Sequence, residues 1–170
     1  MTRILVAGVG NIFCGDDAYG VEVATRLLRR GGLPHSVEVK DFGIKGLDLA
    51  YALTDGYDAA IVIDAAVRGH EPGAISVIEP DRPEAKDGAP SALFISAHGL
   101  DPEKVLGLVT MLGAGCNRIL FVVCEPLTLG GEEGQMGLSE VVAASVDPCV
   151  HLVEKLVSSL LREYETAPSC

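Results

Sequence analysis

The stretch "AAIVIDAA", residues 59 to 66, decides how the rest of the chain is interpreted. It is apolar at nearly every position, so both faces of a strand formed here would be buried. Such strands are typical of the centre of a parallel sheet that helices cover on both sides. One polar residue, Asp64, interrupts the run close to its carboxyl end.

Patterns of strands and helices alternate on either side of this stretch. The strand patterns are "RILVAGV" (3–9), "SVEVKD" (36–41), "GAISVIEP" (73–80), "LFIS" (93–96) and "RILFVVCEP" (118–126). The helix patterns are "DDAYGVEVATRLLRR" (16–30), "IKGLDLAYALT" (44–54), "DPEKVLGLVTMLG" (101–113) and a long helix that begins between Leu138 and Ser145 and runs to Tyr164. The polar stretch "DRPEAKDGAPSA" (81–92) predicts a surface loop.

This alternation predicts an α/β fold with three layers, in which helices flank both faces of a twisted, mostly parallel sheet. We expect one domain over residues 1–170, with a frayed tail at 165–170. In the first long helix, one face is predicted to carry Ala18, Val21, Ala24, Leu27 and Leu28, and Gly31 and Gly32 are expected to end the helix.

Net charge, hydrophobicity and cysteine spacing exclude several classes of function. The formal net charge of −11 argues against a nucleic-acid partner, since a phosphate backbone would be repelled. No apolar run approaches the ~20 residues of a membrane span, so we expect a cytoplasmic protein. The cysteines show no metal-binding or redox spacing and are expected to be free thiols: Cys14, Cys116, Cys124, Cys149 and Cys170. Cys14 lies in the opening loop, but the sequence assigns no basic partner that would activate it as a nucleophile.

Acids and one imidazole follow the strands of the predicted sheet. They are Asp16 and Asp17, Asp41, Asp64, His98 and Glu125. In parallel sheets, ligands bind at the carboxyl ends of the strands, so these side chains form the candidate site. Structural roles remain open for most of them: a helix cap for one acid of the 16/17 pair, an Asx-turn for Asp41, and solvated loop positions for Glu125 and His98. The remaining histidines, His35, His70 and His151, are expected on the surface or on a helix face.

Asp64 is the hardest of these acids to explain structurally, because it ends a wholly apolar strand. A buried carboxylate without a partner is energetically expensive. A metal ion is a suitable partner for two carboxylates and a histidine, and such ligands suit zinc, nickel or similar divalent ions.

The opening loop, "GVGNIFCGDDAYG" (8–20), begins like a dinucleotide-binding turn. Gly8 and Gly10 follow a strand, but Phe13 stands where a third glycine would be needed, and the acid pair would repel a pyrophosphate. Asp41 is a candidate for the ribose-binding acid. A nucleotide-binding α/β domain is therefore kept as an alternative.

Five blocks in order give the chain a specific resemblance. They are "GVGNIFCGDDAYGV", "DFGIKG", "IVIDAA", "SAHGL" and "EPLTLGGEEGQMGLSEVV". With them, the sequence resembles the hydrogenase maturation proteases, the endopeptidases that trim the C-terminal extension of the large subunit of [NiFe] hydrogenases. The similarity runs from about Arg3 to Leu161 and implies the same three-layer fold.

The resemblance implies a metal-binding set of Asp17, Asp64 and His98. In the family these positions engage nickel that is already inserted in the substrate, so nickel would come with the precursor and no organic cofactor is expected. Asp41 maps onto an acid implied in substrate recognition or cleavage. Phe42 stands where many members have a second glycine, in a loop that is expected to touch the substrate.

The mechanistic hypothesis is metal-assisted hydrolysis, because no serine or cysteine shows a sequence-level pairing with a general base. The ion would polarise the scissile carbonyl or activate water, and Asp16 or Asp41 would handle a proton. A chaperone that grips the metal-loaded subunit without cutting it is a further alternative. The enzyme is expected to be a monomer.

Overall fold

The computed structural model describes residues 1–44, 46–81, 102–113 and 115–166. The strands are β1 (Ile4–Val9), β2 (Val37–Gly43), β3 (Ala59–Ala65), β4 (Ile75–Ile78) and β5 (Arg118–Cys124). The helices are α1 (Tyr19–Arg30), α2 (Gly46–Leu53), α3 (Pro102–Leu112), α4 (Glu140–Ala143) and α5 (Val146–Thr166), and a 3₁₀ turn at Gly15–Ala18 precedes α1.

The described strands form one sheet in the order β2-β1-β3-β5-β4. β3 occupies the centre, pairs in parallel with β1 and β5, and is buried at every residue, which confirms the interpretation of residues 59–66. β4 is the exception to the parallel arrangement, since it pairs antiparallel with β5. The connection at 66–74 contains no helix and is too short for a parallel crossover, so the chain turns back along the sheet edge.

Helices cover both faces of the sheet, as the alternating pattern predicts. Alternate residues of the central strands point to opposite sides, and each side has its own apolar core. On one side α1 and α5 pack over Ile61 and Ile63. On the other side α2 and α3 pack over Ala60 and Val62. The three-layer α/β prediction is therefore confirmed.

The buried face of α1 differs from the predicted one at three positions. Leu28 is exposed, whereas Tyr19 and Val23 are fully buried against the sheet. Tyr19, Val23 and Leu27 belong to the core that α1 forms with β3, so they mark the side of the helix that faces the sheet. Gly31 follows the last helical residue, as expected.

The C-terminal helix also differs from the prediction. A short α4 precedes α5, and α5 continues to Thr166, so residues 165 and 166 are helical rather than frayed. The rest of the predicted tail, 167–170, lies outside the described residues, as do the predicted strand at 93–96 and most of the loop at 81–92. In the described part of the chain, no helix combines the length and the apolar character needed to cross a bilayer.

Candidate functional site

The carboxyl ends of four parallel strands place the predicted acids at one edge of the sheet. Parallel register aligns Gly8 of β1 with Asp41 of β2 and with Ile63 of β3. Asp64 lies next in β3, opposite Val123 of β5, so Glu125 follows at the same edge. The structure thus brings these acids to the edge that the loop after β1 also enters. His98 lies outside the described residues.

Asp17 and Asp64 are buried carboxylates held by backbone amides. Asp17 is 6% exposed, and its Oδ2 accepts a hydrogen bond of 3.0 Å from the amide of Asn11. Asp64 is 2% exposed, and its Oδ1 accepts one of 2.8 Å from the amide of Ala65. Burying a carboxylate is expensive unless it is hydrogen-bonded, and these amide donors also orient the two side chains. The structure therefore places two buried carboxylates at this edge of the sheet.

Asp16 has a structural role that differs from the predicted ones. Its carboxylate accepts hydrogen bonds from the amides of Leu127, Thr128 and Ser139 at 2.9, 3.0 and 2.6 Å, and from the Ser139 hydroxyl at 2.8 Å. Burial alone would raise the pKa of Asp16, but the hydrogen bonds from Ser139, Thr128 and Leu127 outweigh it and lower that pKa. An ionised and fully buried clamp is poorly suited to carrying a proton, so the structure does not favour that hypothesis for Asp16.

The helix-cap alternative is also wrong for the 16/17 pair. Cys14 stands at the N-cap of the 3₁₀ turn and Ala18 at the N-cap of α1, and neither provides a side-chain cap. Asp16 instead ties the loop after β1 to the loop that follows β5. Backbone bonds join the same loops, from the Gly15 amide to the carbonyl of Gln135 at 2.7 Å and from the Gln135 amide to the carbonyl of Phe13 at 2.8 Å.

Glu125 is a second clamp and not the solvated loop acid of the structural alternative. Its side chain is buried and accepts hydrogen bonds from the amides of Arg68 and Gly69 at 2.8 and 3.2 Å. Burial would raise the pKa of Glu125, but the amides of Arg68, His70 and Gly69 lower it overall. Glu125 therefore holds the loop after β3, which begins two residues after Asp64 in the chain.

Asp41 is an exposed acid at the same edge. Its Oδ1 accepts a hydrogen bond of 2.7 Å from the amide of Gly43, which is the Asx-turn that the sequence suggested. The neighbouring Phe42 is only partly buried and packs against the core on the α2 and α3 side. The exposed apolar residue of this loop is Ile44.

Close approach of the backbone explains two glycines of the opening loop. Gly10 has a φ of 148°, and a Cβ there would lie 1.8 Å from the carbonyl oxygen of Asp17. A Cβ at Gly20 would lie 2.0 Å from the carbonyl oxygen of Ile63 and 2.3 Å from that of Val9. Gly20 therefore allows the close contact of helix and strand that the nucleotide-binding comparison assigned to residue 13. Sequence reasoning noted Gly20 but missed this role.

The described residues include two of the three predicted metal ligands, Asp17 and Asp64. Within residues 1–44, 46–81, 102–113 and 115–166, no group of three histidine, cysteine or acidic side chains is close enough to hold an ion. The third predicted ligand, His98, lies outside these ranges. The two buried carboxylates fit a divalent cation by their chemistry, and an imidazole would complete a set suited to nickel or zinc.

The other histidines and the cysteines of the described residues agree with the predictions made for them. His35, His70 and His151 are exposed. The described cysteines are free thiols, namely Cys14, Cys116, Cys124 and Cys149. Cys14 is partly buried beside Gln135 in the clamped loop.

Similarity to known proteins agrees with this architecture. The family model described as hydrogenase maturation protease matches residues 21–156. The hydrogenase 2 maturation protease of Escherichia coli K12 is 33% identical over 155 residues, which cover 89% of this chain and 88% of that protein. The hydrogenase expression/formation protein HupD of Bradyrhizobium diazoefficiens is 31% identical over 147 residues, covering 85% and 74%.

Solved structures show the same relationship. The hydrogenase maturating endopeptidase HybD from E. coli superposes with a TM-score of 0.69 at 30% identity, over 96% of this chain and 94% of that chain. The hydrogenase 2 maturation peptidase of a Thaumarchaeota archaeon gives a TM-score of 0.69 at 29% identity, over 92% and 99%. Together with the sheet order and the acids at its carboxyl edge, these matches establish that the chain belongs to the hydrogenase maturation protease family, a family of peptidases.

Proposed function

We propose that this protein is the endopeptidase that removes the C-terminal extension of a [NiFe] hydrogenase large-subunit precursor after nickel insertion. Membership of a peptidase family supports the hydrolytic reaction. The observation that carries the finer proposal is the pair of buried carboxylates, Asp17 and Asp64, at the edge where parallel sheets bind ligands.

In this proposal the nickel is part of the substrate. Asp17 and Asp64 would contact the nickel of the loaded precursor, together with the imidazole of His98. Carboxylate oxygens and an imidazole nitrogen are suitable donors for such an ion, and three protein ligands leave positions for groups of the precursor. The backbone amides of Asn11 and Ala65 would orient the two carboxylates for this contact.

This arrangement gives a physical reason for a check on nickel loading. Two carboxylates taken out of water attract a cation strongly, because the low dielectric of a buried site screens the electrostatic interaction only weakly. A precursor without nickel would lack that interaction and would bind less well in the geometry needed for cleavage. The binding energy of the metal would therefore be used to select the loaded substrate.

Hydrolysis requires that water adds to the scissile carbonyl and that a proton reaches the departing amine. Asp41 is exposed beside the site and is the acid we assign to proton handling or to recognition of the scissile segment. Asp16 and Glu125 would serve only to hold the surrounding loops. The nickel ion would polarise the carbonyl or lower the pKa of the attacking water.

The proposal includes a monomeric enzyme that acts in the cytoplasm. The free thiols of the described cysteines are compatible with a reducing compartment. The partner is the large-subunit precursor, and we assign no organic cofactor to the reaction.

Intact-mass analysis of a cognate precursor tests the function directly. The nickel-loaded and nickel-free forms would each be incubated with the protein. Loss of a C-terminal peptide from the loaded form alone is the expected result. A stable complex with the loaded form and no change in mass would support the non-cleaving chaperone instead, and equal cleavage of both forms would contradict the role of nickel.

A further inference from the structure

Large apolar side chains are unevenly exposed on this molecule. Several of the exposed ones in the described residues belong to the loops that follow β1, β2, β3 and β5, at the edge that carries Asp17 and Asp64. We call six of them the apolar rim: Ile12, Phe13, Ile44, Val67, Leu127 and Met136. Single exposed apolar residues are ordinary, but a group gathered around a candidate active site indicates an interaction surface.

Backbone hydrogen bonds hold the rim loops against one another. The amide of Gln135, next to Met136, donates to the carbonyl of Phe13 at 2.8 Å. The amide of Gly10 donates to the carbonyl of Gly43, the residue before Ile44, at 2.8 Å. The rim segments around residues 12–13, 44 and 136 are therefore adjacent in space.

The other two rim segments are joined through Glu125. Its carboxylate accepts a hydrogen bond from the amide of Arg68, the residue after Val67, and Leu127 lies two positions further along the chain. The amide of Leu127 in turn donates to Asp16 at 2.9 Å, directly beside Asp17. The rim is thus continuous with the site and is set on loops that buried carboxylates fix in place.

We propose that the apolar rim is the docking surface for the body of the precursor protein, beyond the segment that is cut. The inference rests on the proposed function, because it assigns part of the substrate's binding to residues outside the site acids. Four separate loops contribute to the rim, which suits the surface of a folded protein better than one extended peptide.

Charge specifies the chemistry of this partner surface further. The exposed acids Glu132 and Glu133 lie in the rim loop after β5, Asp41 lies near the end of β2 before Ile44, and the chain carries a net charge of −11. A complementary surface would therefore present an apolar centre flanked by lysine or arginine side chains. Apolar contacts would supply affinity, and the opposite charges would speed the encounter.

The test compares the double variant Phe13→Ser/Met136→Ser with the control Leu28→Ser. Phe13 and Met136 are 59% and 69% exposed, and Leu28 is 56% exposed on α1, away from the edge. Binding is measured with the nickel-free precursor, which the proposed enzyme does not cut. Cleavage of the loaded precursor gives kcat and KM, and thermal melting confirms that each variant folds.

We expect the double variant to bind the nickel-free precursor about tenfold or more weakly, since two interface anchors are lost. Its KM for the loaded precursor should rise with kcat retained, while Leu28→Ser behaves like the wild type. An unchanged dissociation constant in the double variant would overturn the proposal. So would a wild type that does not bind the nickel-free precursor, or one that dimerises through the rim and becomes monomeric in the double variant.

The same measurements separate this inference from the proposed function. If the wild type binds the precursor but leaves the loaded form uncut, the peptidase proposal fails, and the dissociation constants still decide whether the rim docks the partner. If the wild type cuts the loaded form and the double variant has unchanged KM and affinity, only the rim proposal fails.

Discussion

The amino and carboxyl ends of the parallel strands differ in how their charged side chains are paired and buried. At the amino end, side chains of opposite sign meet near the surface: Arg118 contacts Glu79 at 2.6 Å and also contacts Glu163. The hydrogen bond from Arg118 to Glu79 raises the pKa of the guanidinium. The guanidinium of Arg3 lies 4.6 Å from the centre of the Tyr57 ring. The ion pairs of Arg118 lie at the surface, where such pairs each contribute little stability.

At the carboxyl end four acids are buried, and backbone amides hold them. Asp16, Asp17, Asp64 and Glu125 all accept hydrogen bonds from main-chain N–H groups. Amides orient a carboxylate without adding a full positive charge, and they lower the pKa of Asp16 and of Glu125. The comparison shows that one end of the sheet pairs side chains of opposite charge, whereas the other end buries carboxylates against main-chain amides.

The largest effect is expected when the buried charge itself is removed. Asp17→Asn should reduce the rate of precursor processing by about 10³-fold, because an amide is a much poorer partner for a cation than a carboxylate. The variant should still fold, since its amide oxygen can accept the hydrogen bond of the Asn11 amide. Mass spectrometry of the precursor over time measures the rate.

Glu79→Gln is the matched control for this prediction. It also replaces a carboxylate by an amide, but at the amino end, where Glu79 pairs with Arg118. Its processing rate should equal that of the wild type. Equal rates for Asp17→Asn and Glu79→Gln would show that the two ends do not differ in function and would remove Asp17 from the site.

A change in the packing at the carboxyl edge should have the next largest effect. In Gly20→Ala the new methyl group would meet the carbonyl oxygens of Ile63 and Val9, both of which are backbone atoms. Helix α1 must then move away from the strands, and we expect a loss of about 3 kcal/mol in the free energy of unfolding. Urea unfolding followed by circular dichroism measures it.

Gly107→Ala in α3 provides the control, because a Cβ at Gly107 meets no atom of the described residues within 4 Å. Replacing a helical glycine by alanine at an open position should stabilise the protein by about 0.5–1 kcal/mol. A loss of stability as large in Gly107→Ala as in Gly20→Ala would mean that close packing at the edge is not the cause.

The sequence was sufficient to predict the sheet and the edge at which the acids gather. The wholly apolar run at 59–66 required a central strand, and the rule for parallel sheets then placed Asp17 and Asp64 at one edge. The roles of Asp16 and Glu125 were not predictable in this way. The donors to Asp16 lie 111 to 123 residues away along the chain, and those to Glu125 lie 56 and 57 residues away. Only the folded chain shows these partners.

Which side of a helix is buried also depends on the elements that it packs against. Leu28 fits the apolar periodicity of α1 but is exposed, whereas Tyr19 and Val23 are buried on the face that packs against the sheet. The direction of β4 likewise depends on the short connection before it and not on its own residues. Local patterns therefore identify elements, while their orientation depends on what they pack against.

Asp16→Asn tests whether the clamp stabilises the loops without taking part in the chemistry. An asparagine at this position keeps one acceptor oxygen and turns its other polar atom into a donor, which would face amides that also donate. We expect a loss of about 2–3 kcal/mol in the free energy of unfolding, because a buried ionised acceptor of several hydrogen bonds is replaced. Limited proteolysis should show new cleavage between residues 127 and 139. An Asp16→Asn protein with wild-type stability would contradict the clamp.

The pH dependence of this difference in stability is the smallest effect and the sharpest check on Asp16. Its pKa is lowered in the folded protein from an ordinary value of 3.8. Its contribution is therefore fully present above the pKa of the unfolded chain and is lost as pH falls through the lower pKa of the folded protein. The gap in stability between wild type and Asp16→Asn should stay constant from pH 7 down to about 5 and then shrink in more acidic buffer. Urea unfolding of both proteins across this range measures the gap, and a gap that widened on acidification would mean that the folded protein prefers Asp16 protonated.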